Sequence, residues 1–248
     1  MSTFKIAAAQ VASIRGDIDR NIATHVAAIA AAAERDVSVL VFPELSLTGY
    51  EIDLSAELAM SATDPRLDPL HNLAHQFQIE VVVGAPLRNE GEKPWLGAIV
   101  MSADGTTRTY SKMHLGGSEP TCFTPGEAPL VFTVRGHTTG IAICADASQP
   151  SHPLTCANAG AGIYAAGVFL NAEWYVTDAP RLANYAARHG MLVLMANHAD
   201  SVGTYRSVGK SAAWAPDGRL LAQADGVENA LVIATHDGAQ WHGGVVRI

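Results

Sequence analysis

The sequence predicts a layered α/β sandwich. Three observations carry that prediction. Helix-patterned and strand-patterned segments interleave along the chain. Several strand segments are apolar throughout, as strands covered on both faces are. Strand segments outnumber helical ones, and hairpin turns mark the middle and the end of the sequence. Of the 248 residues 48% are hydrophobic, enough for a substantial core and against disorder. No linker, short-period repeat or low-complexity segment interrupts the chain, so residues 1–248 are read as one domain.

Phe4 to Val11 reads as a buried strand. Asp17 is placed to cap a helix through Glu34, with Ile18, Ile22, Val26, Ile29 and Ala33 on one face. Val37 to Phe42 is a β-branched, apolar strand ended by Pro43. Pro65 to Gln78 has a helical stripe of Leu67, Leu70, Leu73 and Phe77, and Ile79 to Ala85 is another buried strand. Trp95 to Ser102 and Thr106 to Tyr110 flank the turn signal Ala103-Asp104-Gly105, and Pro129 to Val134 and Thr139 to Cys144 flank Arg135-Gly136-His137. A helix near Pro153 to Ala159, a strand at Gly162 to Leu170, a helix at Ala179 to His189 and a strand at Met191 to Asn197 follow. A hairpin, Ser211 to Ala215 with Arg219 to Ala224 around Pro216-Asp217-Gly218, and a strand at Ala230 to Thr235 complete the prediction.

Charge narrows the function classes. Asp plus Glu total 24 against 16 Lys plus Arg, a net charge of -8 that argues against general binding of nucleic acid or anionic membrane and favours a small ligand. Three cysteines without a C-x-x-C pair make neither a disulfide framework nor a zinc site. The longest apolar run, Ala159 to Leu170, is broken by glycines and is well short of the roughly 20 residues that span a bilayer. The Met1–Ile6 start lacks a charged region followed by a long apolar stretch, so no secretory leader is read and a cytoplasmic protein is expected.

Three side chains at the ends of strand segments carry the chemistry. Gly140 to Asp146 is an apolar run that delivers Cys144 to a polar, proline-containing break, Ala147 to Pro153. Ligands of open α/β sheets sit beyond the carboxyl ends of strands. A free cysteine is ordinarily core filler. A strand-to-helix turn changes that weighting, because it aims backbone N–H groups and a positive dipole end at the sulfur and favours thiolate. It also offers the Ala145 N–H as an oxyanion donor. Cys122 and Cys156 lack this context and are read as structural. Glu44 follows a buried strand and a proline; it is either a loop carboxylate capping nearby N–H groups or a general base whose pKa rises among Leu45, Leu47 and Tyr50. Lys112 ends a strand, ordinarily a surface position; as a functional cation it would stabilise a developing oxyanion.

Together these segments resemble the carbon–nitrogen hydrolase (nitrilase) superfamily over essentially the whole chain. Phe42-Pro43-Glu44-Leu45 with Leu47-Thr48-Gly49-Tyr50 is similar to its glutamate motif, Tyr110 to Leu115 to its lysine motif, and Gly140 to Asp146 to its cysteine motif. Glu119, ahead of Phe123-Thr124-Pro125-Gly126, aligns with the family's second glutamate. Gly209-Lys210-Ser211 and Pro216-Asp217-Gly218 resemble its closing hairpin. The resemblance implies a four-layer α-β-β-α sandwich, commonly a homodimer, with no cofactor and no metal. It implies hydrolysis of a non-peptide C–N bond in a small amide or carbamoyl substrate. Cys144 would be the nucleophile and Glu44 the base. Lys112 and the Ala145 N–H would hold the oxyanion, and Glu119 would orient Lys112 or the substrate. Nitrile hydrolysis, acyl transfer on the same site and a catalytically silent binding module of the same fold are the alternatives.

The sequence departs from the family in places. Ala145 stands where an aromatic residue is common, and Ala145-Asp146 stands where true nitrilases usually have Trp-Glu, which favours an amidase. The arginines that carbamoyl-amino-acid hydrolases often place just after the cysteine are missing. Tyr50 and Trp174 are candidates for the substrate pocket. Rival motifs fare worse. Gly203 to Ser211 has phosphate-loop character but is one residue too long and is followed by a strand pattern. His71 and His75 have the spacing of a metal pair on a helix without a third ligand. Cys144 with His114 or His152 would make a papain-like pair. Gly116-Gly117-Ser118 lacks the extended glycine–serine signature of serine amidases.

Overall fold

The computed structural model describes residues 3–91, 93–200 and 205–248. Strand β1 (Phe4–Gln10) leads into helix α1 (Ile18–Ala33), whose first turn is capped by Asp17 accepting from the Arg20 N–H. β2 (Val39–Val41), the short α2 (Ser55–Leu58), α3 (Asp68–Phe77) and β3 (Glu80–Leu87) follow. β4 (Trp95–Met101) and β5 (Thr107–Ser111) form one hairpin, β6 (Leu130–Val134) and β7 (His137–Ile143) the next. The second hairpin closes through Arg135 and Gly136, both with positive φ, as a tight two-residue turn requires. α4 (Ser151–Asn158), β8 (Ile163–Val168), α5 (Ala172–His189) and β9 (Leu192–Asn197) complete the alternating part. β10 (Ala212–Trp214), β11 (Leu220–Gln223), β12 (Ala230–His236) and β13 (Trp241–Arg247) end the chain.

The strands form two sheets, ordered β13-β12-β1-β2-β3-β4-β5 and β11-β10-β9-β8-β7-β6. The sheets pack face to face, β1 opposite β9 and β2 opposite β8. Ile6, Val41, Val82, Ile141, Ala165 and Leu194 fill the space between them. α1 and α3 cover the outer face of the first sheet through Ile22, Ile29, Leu70 and Ala74. α4 and α5 cover the second through Cys156, Leu182, Tyr185 and Ala186. This is the expected four-layer α-β-β-α sandwich.

Four details differ from the sequence reading. The buried face of α1 includes Asn21 and His25, while Val26 and Ala33 are only half-buried. Phe77 is exposed, and Ala74 takes the place on the core face of α3. α5 starts seven residues before Ala179, where Asn171 accepts from the Trp174 N–H, and runs through Pro180. Pro180 and Val176 are both exposed, so water can replace the rung that the proline lacks. β13 gave no strand signal because it is a largely exposed edge carrying Gly243-Gly244; pairing with β12 over its full length defines it.

Candidate active site

Topology brings the three predicted side chains together. β2 is parallel to β3, and β5 regains that direction through two antiparallel pairings, β3 with β4 and β4 with β5. In the facing sheet β7, β8 and β9 are mutually parallel. Glu44, Lys112 and Cys144 each lie just past the carboxyl end of a strand, β2, β5 and β7. The Phe42–Leu45 segment is threaded between the sheets past two glycines. A Cβ on Gly84 would lie 2.4 Å from the Leu45 nitrogen, and one on Gly167 would lie 2.6 Å from the Phe42 carbonyl oxygen. Leu45 (φ +51°) and Cys144 (φ +42°) both adopt the left-handed region that disfavours side chains, so both turns hold strain at the site.

The charged groups form one buried cluster. Lys112 Nζ donates to Glu44 Oε1 at 2.7 Å and to both oxygens of Glu119 at 2.8 Å. The side chains of Lys112 and Glu44 are fully enclosed. Glu119 also accepts from the Gly116 N–H at 2.8 Å and from the Tyr50 hydroxyl at 2.8 Å. Glu44 Oε2 is buried with no hydrogen-bond partner among the described residues. The Cys144 thiol donates to the Phe169 carbonyl oxygen at 3.7 Å, and the charges of Glu44 and Lys112 act on it.

Burial dominates the proton affinities here. It raises the pKa of Glu44 to about 7; the Lys112 ammonium opposes that rise, and Glu119 adds to it. Burial also pushes the Cys144 thiol well above its usual range, with the Glu44 charge adding to the shift and Lys112 opposing it. The resting sulfur is therefore a thiol. This corrects the expectation of a thiolate favoured by a helix N-terminus. The turn after Cys144 is a five-residue 3₁₀ segment, Cys144–Ser148, and α4 begins only at Ser151. Burial by itself would discharge Lys112, but Glu44, Cys144 and Glu119 outweigh it and hold the ammonium charged.

A family profile described as carbon-nitrogen hydrolase matches residues 5–242. The chain belongs to the carbon-nitrogen hydrolase family. This hydrolase is 30% identical to an (R)-stereoselective amidase of a Pseudomonas species over 64% of its own length and 58% of the amidase. It is also 30% identical to a Pseudomonas protegens hydrolase over 82% of its length and 72% of that protein. The chain thus spans less than two thirds of the first of these relatives. Among solved structures, a mutant of the Nesterenkonia AN1 amidase from the nitrilase superfamily matches with a TM-score of 0.86 and 26% identity, covering 95% of this chain and 91% of that one. Another mutant of that amidase carries the acetamide moiety of fluoroacetamide on its active-site cysteine (TM-score 0.85, 25% identity, coverage 93% and 89%). Cys144 occupies the position matching that cysteine.

Of the other sequence candidates in the hydrolase, Tyr50 joins the cluster. Its ring stacks on Phe169 with centroids 5.2 Å apart and meets Tyr205 edge-on at 5.6 Å. Ala145 is half-buried beside Cys144, against Gly116. Trp174 is 44% exposed in the first turn of α5, and no ring contact or side-chain hydrogen bond among the described residues ties it to the cluster. Sequence reasoning missed Phe169, Tyr205, Asp146 and His198. His198 is fully buried, donates from Nε2 to the Glu44 carbonyl oxygen at 2.8 Å, and is held neutral by burial, which lowers its pKa to about 4. Phe169 looked like one more apolar residue of a strand, and His198 is one of ten histidines without motif context.

The rival motifs find other roles. Gly203 and Thr204 of the phosphate-loop look-alike lie outside the described residues; Lys210 sits over the Tyr175 ring, and β10 rather than a helix follows. His71 and His75 bond separate backbone carbonyls, those of Ala62 and Ala103. His114 bonds Asp146, and both ring nitrogens of His152 are engaged by Tyr110 and Tyr164, so neither histidine pairs with the sulfur.

Proposed function

We propose that this hydrolase is an amidase that cleaves the C–N bond of a small amide through a thioester on Cys144. The observation that carries the reading is the convergence of Glu44, Lys112 and Glu119 in one water-excluded cluster beside the sulfur. Glu44 takes the proton of the Cys144 thiol as the sulfur attacks the carbonyl carbon. A C–S bond forms, and the carbonyl electrons move to oxygen. Lys112 and the Ala145 N–H hold that oxyanion. Its collapse breaks the C–N bond, and the leaving nitrogen takes the proton from Glu44. Glu44 then takes a proton from water, the hydroxide adds to the thioester, and the C–S bond breaks. The sulfur recovers its proton, and the acid leaves.

Glu119 holds Lys112 through both of its oxygens and is itself fixed by Tyr50 and Gly116. The step uses no metal or organic group. Tyr50, with Phe169 and Tyr205, supplies an aromatic wall suited to a small uncharged acyl group; an acrylamide- and butyramide-binding relative of this fold supports that size class.

The test is turnover on a panel of short aliphatic amides, with intact-mass analysis of the protein. A mass increment equal to the acyl group on Cys144, and turnover abolished in Cys144→Ala and Cys144→Ser, are expected. Wild-type-like turnover in either variant sinks the assignment. Release of acid from nitriles in preference to amides would move the reading to a nitrilase. The reading includes a homodimer, supported by the exposed Val176 and Leu220 on one face beside Pro180; light scattering that gives a monomer removes the dimer.

A further inference from the structure

Behind the cysteine turn lies a buried polar chain that the chemistry above does not use. Asp146 is fully buried and accepts five hydrogen bonds. Its Oδ1 takes the backbone N–H groups of Met113 (3.1 Å) and His114 (2.9 Å) and the His114 ring Nδ1 (3.0 Å). Its Oδ2 takes the Ile143 N–H (3.0 Å) and the Tyr110 hydroxyl (2.7 Å). One carboxylate thus bonds the residue before Cys144, the two residues after Lys112 and the tyrosine two before it.

The chain continues outward with a single consistent direction. The Tyr110 hydroxyl spends its proton on Asp146, so it accepts from His152 Nε2 at 2.9 Å. His152 Nδ1 is then the acceptor for the Tyr164 hydroxyl at 3.0 Å. Burial keeps His152 neutral by lowering its pKa, as this tautomer requires. Tyr110 belongs to β5 of one sheet, Tyr164 to β8 of the other, and His152 to α4. The chain therefore crosses the sandwich and joins the layer that carries Lys112 to the layer that carries Cys144.

We propose that Asp146, oriented by the Tyr110–His152–Tyr164 chain, is a positioning residue that sets the distance between Lys112 and the sulfur of Cys144. It does not touch the reacting atoms. Its effect comes from bridging two backbone segments that lie on different sheets. A carboxylate suits this place because all five partners are donors and it offers acceptors only. An asparagine would present two N–H groups where one oxygen now accepts, and at least one bridge would open. Displacing a catalytic group by about 1 Å costs on the order of 10²-fold in rate.

This inference rests on the reading of Cys144 as nucleophile, and the experiment separates the two. Asp146→Asn and Tyr110→Phe are compared with wild type and Cys144→Ala for folding by circular dichroism, for kcat and KM on one short amide, and for the rate of Cys144 alkylation by iodoacetamide. Folded Asp146→Asn is expected to lose about 10²-fold in kcat with KM within about threefold of wild type. Tyr110→Phe removes the hydroxyl's bonds to Asp146 and to His152 and keeps the carboxylate, so its kcat should fall several-fold, again at constant KM. A purely structural role would lower the melting temperature and leave kcat of the folded protein intact; that result in either variant overturns the inference. If Asp146→Asn does not fold, Tyr110→Phe decides alone. Full activity in Cys144→Ala would instead defeat the nucleophile reading, whatever the two variants do.

Discussion

Gly167→Ala tests the threading of the Glu44 segment between the sheets. An alanine Cβ there would sit 2.6 Å from the Phe42 carbonyl oxygen and 3.3 Å from the Glu44 nitrogen. Ordinary contact begins near 3.4 Å, so the segment has to retreat by about 0.8 Å. The obstructing atoms are backbone, and no side chain can swing aside to make room. Overpacking of this kind costs about 1–3 kcal/mol. For a domain of this size that corresponds to a fall of roughly 2–12 °C in melting temperature. Glu44, the proposed base, is carried on the displaced segment, and a shift approaching 1 Å at such a group costs on the order of 10²-fold in rate. Gly162→Ala is the internal control: it precedes the same strand, and a Cβ there meets nothing within 4 Å. That variant should match wild type in rate and gain up to about 1 kcal/mol from the stiffer unfolded chain. Thermal melts and kcat/KM on a short amide read both effects. Gly167→Ala with wild-type melting temperature and turnover would refute the claim that Glu44 is held by close approach of the two sheets.

Two further perturbations address the charge cluster. Lys112→Met leaves Glu44 and Glu119 facing each other without their cation, which should cost about 3–5 kcal/mol and abolish turnover. The deficit should shrink as pH falls and Glu44 takes up a proton; urea unfolding at pH 8 and pH 5 measures it, and an equal deficit at both would contradict the burial argument. The pKa of about 7 at Glu44 predicts that kcat/KM rises with pH along a limb centred near neutrality, because only the ionised carboxylate accepts the thiol proton. The stability term has the opposite sign. The folded state holds the Glu44 proton more tightly than the unfolded chain, so this contribution is complete below pH 4.5 and is lost as pH rises through about 7. A rate profile flat from pH 5 to 8 would remove Glu44 from the role of base.

The layers, and Glu44 and Cys144 at their strand ends, were legible because each had a local signal. Continuous apolar runs mark strands covered on both faces, and a charged residue directly after such a run and a proline, as at Glu44, has few innocent explanations. Lys112 was legible only through its company, since a lysine ending a strand is usually solvated. What stayed hidden depends on partners far along the chain. Asp146 read as one acidic residue in a turn until β5 brought Tyr110 and the Met113–His114 backbone to its oxygens. The edge strand β13 is glycine-rich and exposed, and only its pairing with β12 makes it a strand. Thiolate character at Cys144 was misread because a dipole argument needs a helix of some length, and burial outweighs a five-residue 3₁₀ turn.

Burial raises the proton affinities of both Glu44 and Cys144, and that parallel shift suits the proposed proton transfer between them. A thiolate created by loss of a proton to bulk water would add a net buried charge, which the enclosed cluster resists. Transfer of the proton from Cys144 to Glu44 adds none. One negative charge moves from carboxylate to sulfur, and Lys112 adjoins both positions. The same transfer neutralises the carboxylate that occupies one ammonium hydrogen. In the proposed mechanism Lys112 is then free on that side to turn to the oxyanion, while Glu119, tied by Tyr50 and Gly116, keeps the ammonium from following the charge. Two carboxylates around one lysine are thereby unequal in function. The one with an unpartnered oxygen is free to exchange its proton, and the one with every oxygen occupied is fixed in place.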